Sequence, residues 1–263
     1  MEVNELGQPV GPHVTGWSPR RAPSAPVLSG DYVRLERLDP ARHGEDLFAA
    51  DRADARGESW TYLPYGPFGD RTAYRRWLEG VAGRADPCFY AIIDTDDVDP
   101  DDVDTGAVEA AVDAVDTDHS RVRTRTHGRA VGVASYLNVE PDHGTIEVGH
   151  VHYSPALQRR RGATEAQYLL MRHVFEDLGY RRYEWKCDAL NAASRSAAAR
   201  LGFSYEGTFR QARVVKGRNR DTAWYAVTDG DWPAVSAALR AWLDPANFDA
   251  RGRQRTSLRS RLG

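Results

Sequence analysis

The chain has 263 residues, a hydrophobic fraction of 41% and a formal net charge of -3 at pH 7, which allow one large or two small domains with a packed core. No run of about 18 apolar residues occurs and the N-terminus lacks the apolar stretch of a secretory signal, so we expect neither a membrane span nor a leader. The two cysteines, Cys88 and Cys187, lie in apolar, strand-like runs, so we expect a cytoplasmic protein without a disulfide framework.

The charges are unevenly distributed along the chain. Residues 94–120 carry eleven acidic side chains and no Lys or Arg, whereas the last thirteen residues carry five Arg. Because the acidic stretch contains no aromatic residue, we interpret residues 95–127 as a surface insertion between two strands, within which residues 108–115 could form a short helix. We interpret the basic tail, residues 246–263, as a solvated, frayed terminus without a nucleic-acid partner, with an RNA contact as the alternative.

The first half of the chain predicts a strand, two helices and a second strand after an irregular arm at residues 1–27. Residues 32–38 alternate polar and apolar side chains, which is typical of a strand, and Asp39 and Pro40 open a helix through residue 54. A buried-type strand follows at residues 88–93. The helix before it has one apolar face, formed by Tyr74, Trp77, Leu78 and Val81.

The second half predicts two hairpins, a strand and three helices. Residues 129–139 and 144–154 form the first hairpin, and residues 209–215 and 222–227 the second. The helices are expected at residues 163–178, ending at Gly179, then after the N-cap Asn191, and from Asp231 to about residue 243, and a strand is expected at residues 183–187. This order predicts an α/β (α+β) domain at residues 28–245, with a mixed, mainly antiparallel central sheet flanked by helices.

One segment that leads from a strand end into a long helix predicts an anion site. A helix N-terminus presents unpaired N–H groups and a partial positive charge, which suit a diphosphate. The alternative is a basic turn that caps an ordinary helix. The residues expected to bind the anion are Gln158, Arg159, Arg160, Arg161, Gly162, Ala163 and Thr164.

Residues 158–163 (QRRRGA) are similar to the [Gln/Arg]-x-x-Gly-x-[Gly/Ala] loop with which the GNAT superfamily of N-acyltransferases binds the pyrophosphate of acyl-CoA. Arg161 stands where that pattern has glycine. Residues 163–166 (ATEA) resemble the helix start typical of the RimJ/RimL-type branch. The resemblance covers roughly residues 28–242 and implies the GNAT fold, acetyl-CoA as acyl donor and no metal.

A second stretch, from Asn191 and Ser194 to Phe203, resembles the family signature that lines the pantetheine and thiol end of the cofactor. Many members have a Tyr four residues after the Ser, which protonates the departing thiolate, but this chain has Ala198 there. The resemblance therefore implies that Ser194 acts as a weak acid or donates a hydrogen bond to sulfur. A first-turn Ser bonded to the backbone is the alternative.

The resemblance places Glu147 on a strand that splays from its neighbour. Strand alternation turns Glu147 away from Ile146 and Val148, so its carboxylate could accept a proton from an incoming ammonium. A solvent-facing residue paired with an arginine is the alternative, and Glu206 is the reserve candidate for the base.

The resemblance implies that an aromatic cluster, Trp60, Tyr62, Tyr65 and Phe68, borders the acceptor pocket, and the alternative is that these rings simply cover the core. The eight His form no metal-ligand pattern. We therefore predict acetyl transfer from acetyl-CoA to a primary amine, on a small molecule or a protein N-terminus, by direct attack on the thioester, in a monomer or homodimer. The alternative, motivated by Ala198 and Arg161, is a catalytically silent acyl-CoA-binding or protein-interaction module of the same fold.

Overall fold

The computed structural model describes residues 2–95 and 128–262, so nearly all of the predicted acidic insertion, including residues 108–115, lies outside the described residues. No helix in the described ranges is long and apolar enough to cross a membrane. The strands are β1 (Glu2–Val3), β2 (Pro9–Val10), β3 (Val27–Ser29), β4 (Val33–Arg37), β5 (Cys88–Asp94), β6 (Arg129–Glu140), β7 (Thr145–Tyr153), β8 (Arg182–Asp188), β9 (Ser204–Val215) and β10 (Arg218–Thr228). The helices are α1 (Pro40–Asp51), α2 (Arg71–Val81), α3 (Arg161–Arg172), α4 (Ala192–Arg200), α5 (Trp232–Leu243) and α6 (Arg259–Leu262).

Strands β3 to β10 form one sheet in the order β3-β4-β5-β6-β7-β8-β10-β9, while β1 and β2 pair only with each other. Each neighbouring pair in the large sheet is antiparallel except β7 and β8, which run parallel. The predicted mixed, mainly antiparallel sheet is therefore confirmed.

The sheet separates two apolar cores. Along β5, Tyr90 and Ile92 belong to the core that includes residues of α3 and α5, whereas Phe89, Ala91 and Ile93 belong to the core under α1 and α2. Because both faces of β5 are buried, its sequence is continuously apolar rather than alternating. We call the two sides of the sheet the α3 face and the α1 face.

Several predicted element boundaries differ from the observed ones. Helix α3 begins at Arg161, two residues before the prediction, and continues through a π-helical turn at His173–Asp177 before Gly179, which has a φ of 69°. Strand β9 begins at Ser204 rather than residue 209, because its exposed residues do not alternate clearly with apolar ones. The hairpin to β10 turns tightly at Lys216 and Gly217, whose φ angles are 48° and 74°, as a type I′ turn requires.

The basic end of the chain is folded against the domain. A 3₁₀ turn at Pro245–Asn247 redirects the chain after α5, and Leu258 is only 1% exposed within the core of the α3 face. The side-chain amide of Asn247 donates to the Trp242 carbonyl at 2.9 Å and accepts from the Thr256 N–H at 3.0 Å. The expectation of a frayed terminus is therefore wrong for residues 246–262, because this buried anchor and amide fix the segment. The division into residues 1–27, 28–245 and 246–263 stays a prediction.

Candidate active site

Strands β7 and β8 pair over only part of their length. Their parallel register runs from Thr145–Arg182 to Val148–Trp185, although β7 continues to Tyr153 and β8 to Asp188. On its other edge β7 has an irregularity against β6, and His150 there has a φ of 50°. A bulge bends a strand and increases its twist, so β7 turns away from β8 and a cleft opens between them.

The cleft has a volume of about 2350 Å³, larger than the roughly 300–1,000 Å³ of most small-molecule sites. Its lining comes from both faces of the sheet. The α1 face contributes Asp54, Glu58, Ser59 and Tyr62; the strands contribute Val151, His152, Tyr153 and Trp185; and α4 contributes Ser194, Ala197 and Arg200. The α3 face contributes residues 155–164 and the C-terminal side chains Arg251, Arg253, Gln254, Ser257, Leu258 and Arg259.

The start of α3 lies in this wall without a side-chain cap. Its first N–H groups are therefore not satisfied by a capping side chain, and the anion site expected there stays a prediction. Arg159 and Arg160 are exposed beside it, and no carboxylate among the described residues pairs with either guanidinium. Counting the described residues alone, this part of the wall is electropositive.

Other residues of the predicted anion loop also have structural contacts. The side-chain amide of Gln158 donates to the Tyr153 carbonyl at 2.8 Å, and the Arg161 guanidinium lies 4.1 Å from the ring centroid of Tyr32. A Cβ on Gly162 would lie 2.7 Å from Cγ1 of Val33, so the close approach that requires glycine here is to β4. The loop residues thus lie together at the cleft. Contacts within the protein, rather than ligand binding, account for the residue types at Gln158, Arg161 and Gly162.

Glu165, the acid of the ATEA run, is a residue whose function the sequence reasoning did not identify. Its carboxylate accepts hydrogen bonds from the N–H groups of Asp31, Tyr32 and Val33 at 2.8, 2.7 and 2.8 Å. Burial raises the pKa of Glu165, while these three N–H donors act in the opposite direction. The side chain ties α3 to the turn before β4 and holds the helix N-terminus at the cleft.

The second predicted group, Asn191 and Ser194, also lies in the cleft wall. Asn191 caps α4 by accepting from the Ser194 N–H at 3.0 Å. The Ser194 hydroxyl oxygen accepts from the indole Nε1 of Trp185 at 2.9 Å, and the hydroxyl also forms a hydrogen bond with the side chain of Cys187. A hydrogen bond from Ser194 to a ligand in the cleft would replace the one to Cys187.

Glu147 lies in a buried polar network outside the lining of the cleft. Its carboxylate is 2.8 Å from Nζ of Lys186 and accepts from the side-chain amide of Asn138 at 2.6 Å. Burial raises the pKa of Glu147, opposed by Lys186 and Asn138. The charge partner is thus a lysine rather than the arginine considered from sequence, and the role of Glu147 as base stays a prediction.

Glu206, the reserve candidate, lies on β9 and forms an ion pair with Arg182. That arginine is the main reason why the pKa of Glu206 is lowered. The carboxylate does not line the cleft described above. Its base role also stays a prediction.

The four aromatic residues predicted for the acceptor pocket divide into two groups. Trp60 is 3% exposed and packs edge-on against Tyr65 and Phe68 with centroid distances of 6.0 and 5.3 Å, as part of the α1-face core. Tyr62 is 37% exposed and lines the cleft. Three of the rings therefore cover the core, and Tyr62 is the member that reaches the cleft.

A polar chain that the sequence reasoning missed crosses the α1 face of the cleft. His152 is 3% exposed, its ring stacks on Trp60 with centroids 3.7 Å apart, and its Nε2 is 2.8 Å from the Ser59 hydroxyl. Ser59 in turn donates to Asp54 at 2.6 Å. On the other side of the ring, Nδ1 of His152 is 3.4 Å from the Asp51 carboxylate. Four titratable or hydroxyl side chains are thus connected at the cleft wall.

The protonation of this chain is set mainly by burial. Burial lowers the pKa of His152 to about 4, so the ring is neutral at neutral pH. Burial raises the pKa of Asp51 to about 7, although a hydrogen bond from Tyr74 acts in the opposite direction. The sequence signal was available in the alternating His150 and His152, but only the fold shows that His152 meets Ser59 and Asp51.

Within residues 2–95 and 128–262, no group of three or more His, Cys, Asp or Glu side chains is arranged to hold a metal ion.

Comparison with known proteins identifies similar chains. Residues 33–204 match the family model described as the acetyltransferase (GNAT) domain. A GCN5-related N-acetyltransferase from Brucella melitensis is 39% identical, with a TM-score of 0.82 over 95% of this chain and 99% of that one. A probable acetyltransferase of the GNAT family from Chromobacterium violaceum ATCC 12472 is 39% identical, with a TM-score of 0.69 over 86% of this chain and 98% of that one.

A curated relative is similar over a shorter region. The ribosomal-protein-serine acetyltransferase of Escherichia coli (strain K12) is 30% identical over 96 residues, which are 36% of this chain. The chain spans about half of that relative, 53% of its length.

Proposed function

Because the chain belongs to the acetyltransferase (GNAT) domain family, we propose that it is an acetyl-CoA-dependent N-acetyltransferase that acts on a primary amine. The predicted GNAT fold is confirmed, and the similarity to a ribosomal-protein-serine acetyltransferase agrees with the predicted RimJ/RimL-type branch. The observation that carries the proposal is the cleft at the splay of β7 and β8, with the uncapped start of α3 in its wall.

In the proposed complex, the pyrophosphate of acetyl-CoA binds at the start of α3, beside Arg159 and Arg160. The acyl arm extends along β7 toward α4, where Ser194 donates a hydrogen bond to sulfur. The acceptor nitrogen attacks the thioester carbonyl, the C–S bond breaks, and the thiolate takes up the proton that the nitrogen loses as the amide forms. Backbone N–H groups of β7 beyond Val148, which do not pair with β8, stabilise the oxyanion.

The amine must lose a proton before it can attack, because a primary ammonium has a pKa near 10. The chain of Asp51, His152 and Ser59 is well arranged to receive that proton. For this step the Ser59 hydroxyl turns from Asp54, to which it donates in the structure, and gives its proton to Nε2 of the neutral His152 as it takes the proton of the ammonium. Asp51 then faces the resulting imidazolium. Glu147 is the rival base implied by the family resemblance, and Glu147→Gln tests it in the same assay.

The acceptor is expected to enter on the α1 face. Asp54 lines the cleft there and favours a positively charged group, while Glu58 is ion-paired with Arg56, which lines the same part of the cleft. Tyr62 provides an aromatic surface beside them. This arrangement suits an ammonium, on a small molecule or at a protein N-terminus, and the name of the curated relative makes ribosomal proteins the first class of acceptor to test.

The test is a thiol-release assay of the full chain with acetyl-CoA and a panel of amines and N-terminal peptides, with mass spectrometry of the products. Release that depends on an acceptor, with a gain of one acetyl group on that acceptor, supports the proposal. Acetyl-CoA binding without acceptor-dependent release on any member of the panel would favour the alternative, a silent acyl-CoA-binding or protein-interaction module.

A further inference from the structure

The C-terminal segment, residues 245–262, forms part of the cleft wall beside the start of α3, where the Arg161 guanidinium lies 5.7 Å from the ring centroid of Phe248. Arg251, Arg253 and Arg259 line the cleft from this segment. Its position is fixed at Leu258, which is buried in the core, and at Gln254, whose side-chain oxygen accepts from Nε1 of Trp242 at 2.8 Å. The arginines are therefore held at the cleft by an ordered segment.

The guanidinium groups on this wall differ in their pairing. Arg253 forms an ion pair with Asp249 at 2.9 Å. Arg251 and Arg259 are exposed, and no carboxylate in the described part of the chain pairs with either of them. Two cations thus face the cleft without a counter-charge from residues 2–95 or 128–262.

A third cation approaches the same wall from α4. Arg200 is half-buried, its guanidinium lies 4.9 Å from the ring centroid of Trp242, and it donates to the Thr164 hydroxyl at 3.0 Å. Burial lowers the pKa of Arg200, and no described carboxylate compensates its charge. Because Trp242 contacts both Arg200 and Gln254, the α4 cation and the C-terminal segment are parts of one structure.

Coenzyme A has two anionic parts, a diphosphate and a phosphate monoester on the ribose 3′ oxygen. The proposed function assigns the diphosphate to the start of α3, which leaves the monoester and its charge of about -1.5 to -2 without a partner. Guanidinium groups are well suited to it, since they donate paired hydrogen bonds to phosphate oxygens and stay charged.

We propose that Arg251 and Arg259 of the C-terminal segment, together with Arg200 of α4, bind the 3′-phosphate of coenzyme A. This inference rests on the proposed function. It assigns to the basic end of the chain a role within the acetyl-donor site, where the sequence alone suggested only a solvated tail or an RNA contact.

The experiment is calorimetric titration of the full chain with coenzyme A and with 3′-dephospho-coenzyme A, which differ only in the monoester. The wild-type chain is expected to bind coenzyme A about 10- to 100-fold more tightly, as for one or two charge-assisted hydrogen bonds. The Arg251→Ala/Arg259→Ala variant is expected to reduce that preference to about 3-fold or less, because Arg200 remains. Its affinity for dephospho-coenzyme A should change by less than about 2-fold.

The matched control is the Arg240→Ala/Arg255→Ala variant, which removes the same charge from exposed positions outside the cleft lining. It should retain the wild-type preference. An undiminished preference in Arg251→Ala/Arg259→Ala, or no preference in the wild-type chain, would overturn the inference while leaving the proposed function intact. Failure of the wild-type chain to bind either ligand would overturn both. Retention of RNA that is lost in Arg251→Ala/Arg259→Ala, with the ligand preference unchanged, would assign the tail to RNA instead.

Discussion

The α3 face and the α1 face of the sheet differ in the charge and burial of the side chains that they place at the cleft. On the α3 face, Arg159, Arg160, Arg251 and Arg259 are exposed and lack carboxylate partners among the described residues. On the α1 face, His152 is buried and Asp51 is partly buried, and burial shifts their pKa values to about 4 and about 7, which favours the neutral form of each. One side of the sheet is therefore suited to binding an anion with solvated arginines. The other side is suited to accepting and donating a proton through buried titratable groups.

The same difference appears in what holds each face in place. Backbone and carboxylate hydrogen bonds fix the α3 face, above all those of Glu165 to residues 31–33. Aromatic packing fixes the α1 face, where Trp60 stacks on His152 and Lys216 at the tip of the β9–β10 hairpin donates to the Trp60 carbonyl at 2.9 Å. Substitutions on the two faces should therefore change different kinetic constants.

The largest effect is expected on the α1 face. His152→Asn should lower kcat by about 100-fold, the usual cost of losing a general base, with acetyl-CoA affinity changed by less than about 2-fold. Steady-state kinetics and calorimetry measure the two quantities. His150→Asn is the matched control, because His150 lies on the same strand and contacts Tyr65 but does not line the cleft. If kcat falls in Glu147→Gln but not in His152→Asn, Glu147 rather than His152 is the base.

A smaller effect of a different kind is expected on the α3 face. Arg159→Ala/Arg160→Ala should weaken acetyl-CoA binding by about 10-fold and leave kcat at saturating acetyl-CoA near the wild-type value. The loss should shrink as salt rises from about 0.05 to 0.5 M, because exposed charges are screened. A fall in kcat at saturation would contradict the assignment of these residues to binding alone.

A third prediction concerns Ser194, which lies in the cleft wall on α4. Ser194→Ala should lower kcat by about 3- to 10-fold, since a single hydrogen bond to sulfur is worth about 1 kcal/mol. Donors with a better thiol leaving group should restore much of the loss, because they depend less on that hydrogen bond. A wild-type rate, or no dependence of the loss on the leaving group, would reduce Ser194 to its contact with Trp185.

The smallest effect is a change in stability with pH. The pKa of Asp51 is raised from 3.8 to about 7, so the folded chain holds a proton there that the unfolded chain loses. The stability contributed by this group is fully present below pH 3.8 and is lost as the pH rises through about 7. The Tm of Asp51→Asn relative to wild type should therefore increase between pH 4 and pH 8.

Asp54→Asn is the control for this pH dependence, because Ser59 and backbone N–H groups lower the pKa of Asp54 despite some burial. Its contribution is present above the unfolded pKa and is lost on acidification, so the Tm of Asp54→Asn relative to wild type should decrease as the pH rises from 3 to 5. If the difference in Tm from wild type changes with pH in the same direction for both variants, the opposite pKa shifts assigned to Asp51 and Asp54 are wrong.

The sequence predicted the features that depend on local patterns. Apolar periodicity identified most strands and helices, and the N-cap at Asn191 was recognised from its residue type and is confirmed. The extent of β9 and β10 was underestimated, because an exposed hairpin lacks the alternation on which the prediction depends. The strand β3 has only three residues and gave no signal.

The candidate site was harder to predict, because it depends on contacts between distant residues. His152 and Ser59 are 93 positions apart, and only the packing of the loop after α1 on β7 brings them together. Likewise, the pairing of Glu147 with Lys186 depends on the parallel register of β7 and β8. The order of the basic tail was missed because it depends on a few contacts with the domain, those of Leu258, Asn247 and Gln254.

Calorimetric titration of the full chain with acetyl-CoA tests directly whether the cleft between β7 and β8 binds this donor. We predict saturable binding with one site per chain, weakened in Arg159→Ala/Arg160→Ala and unchanged in His152→Asn. Absence of binding, or binding that is unaffected in the arginine variant and lost in the histidine variant, would contradict it.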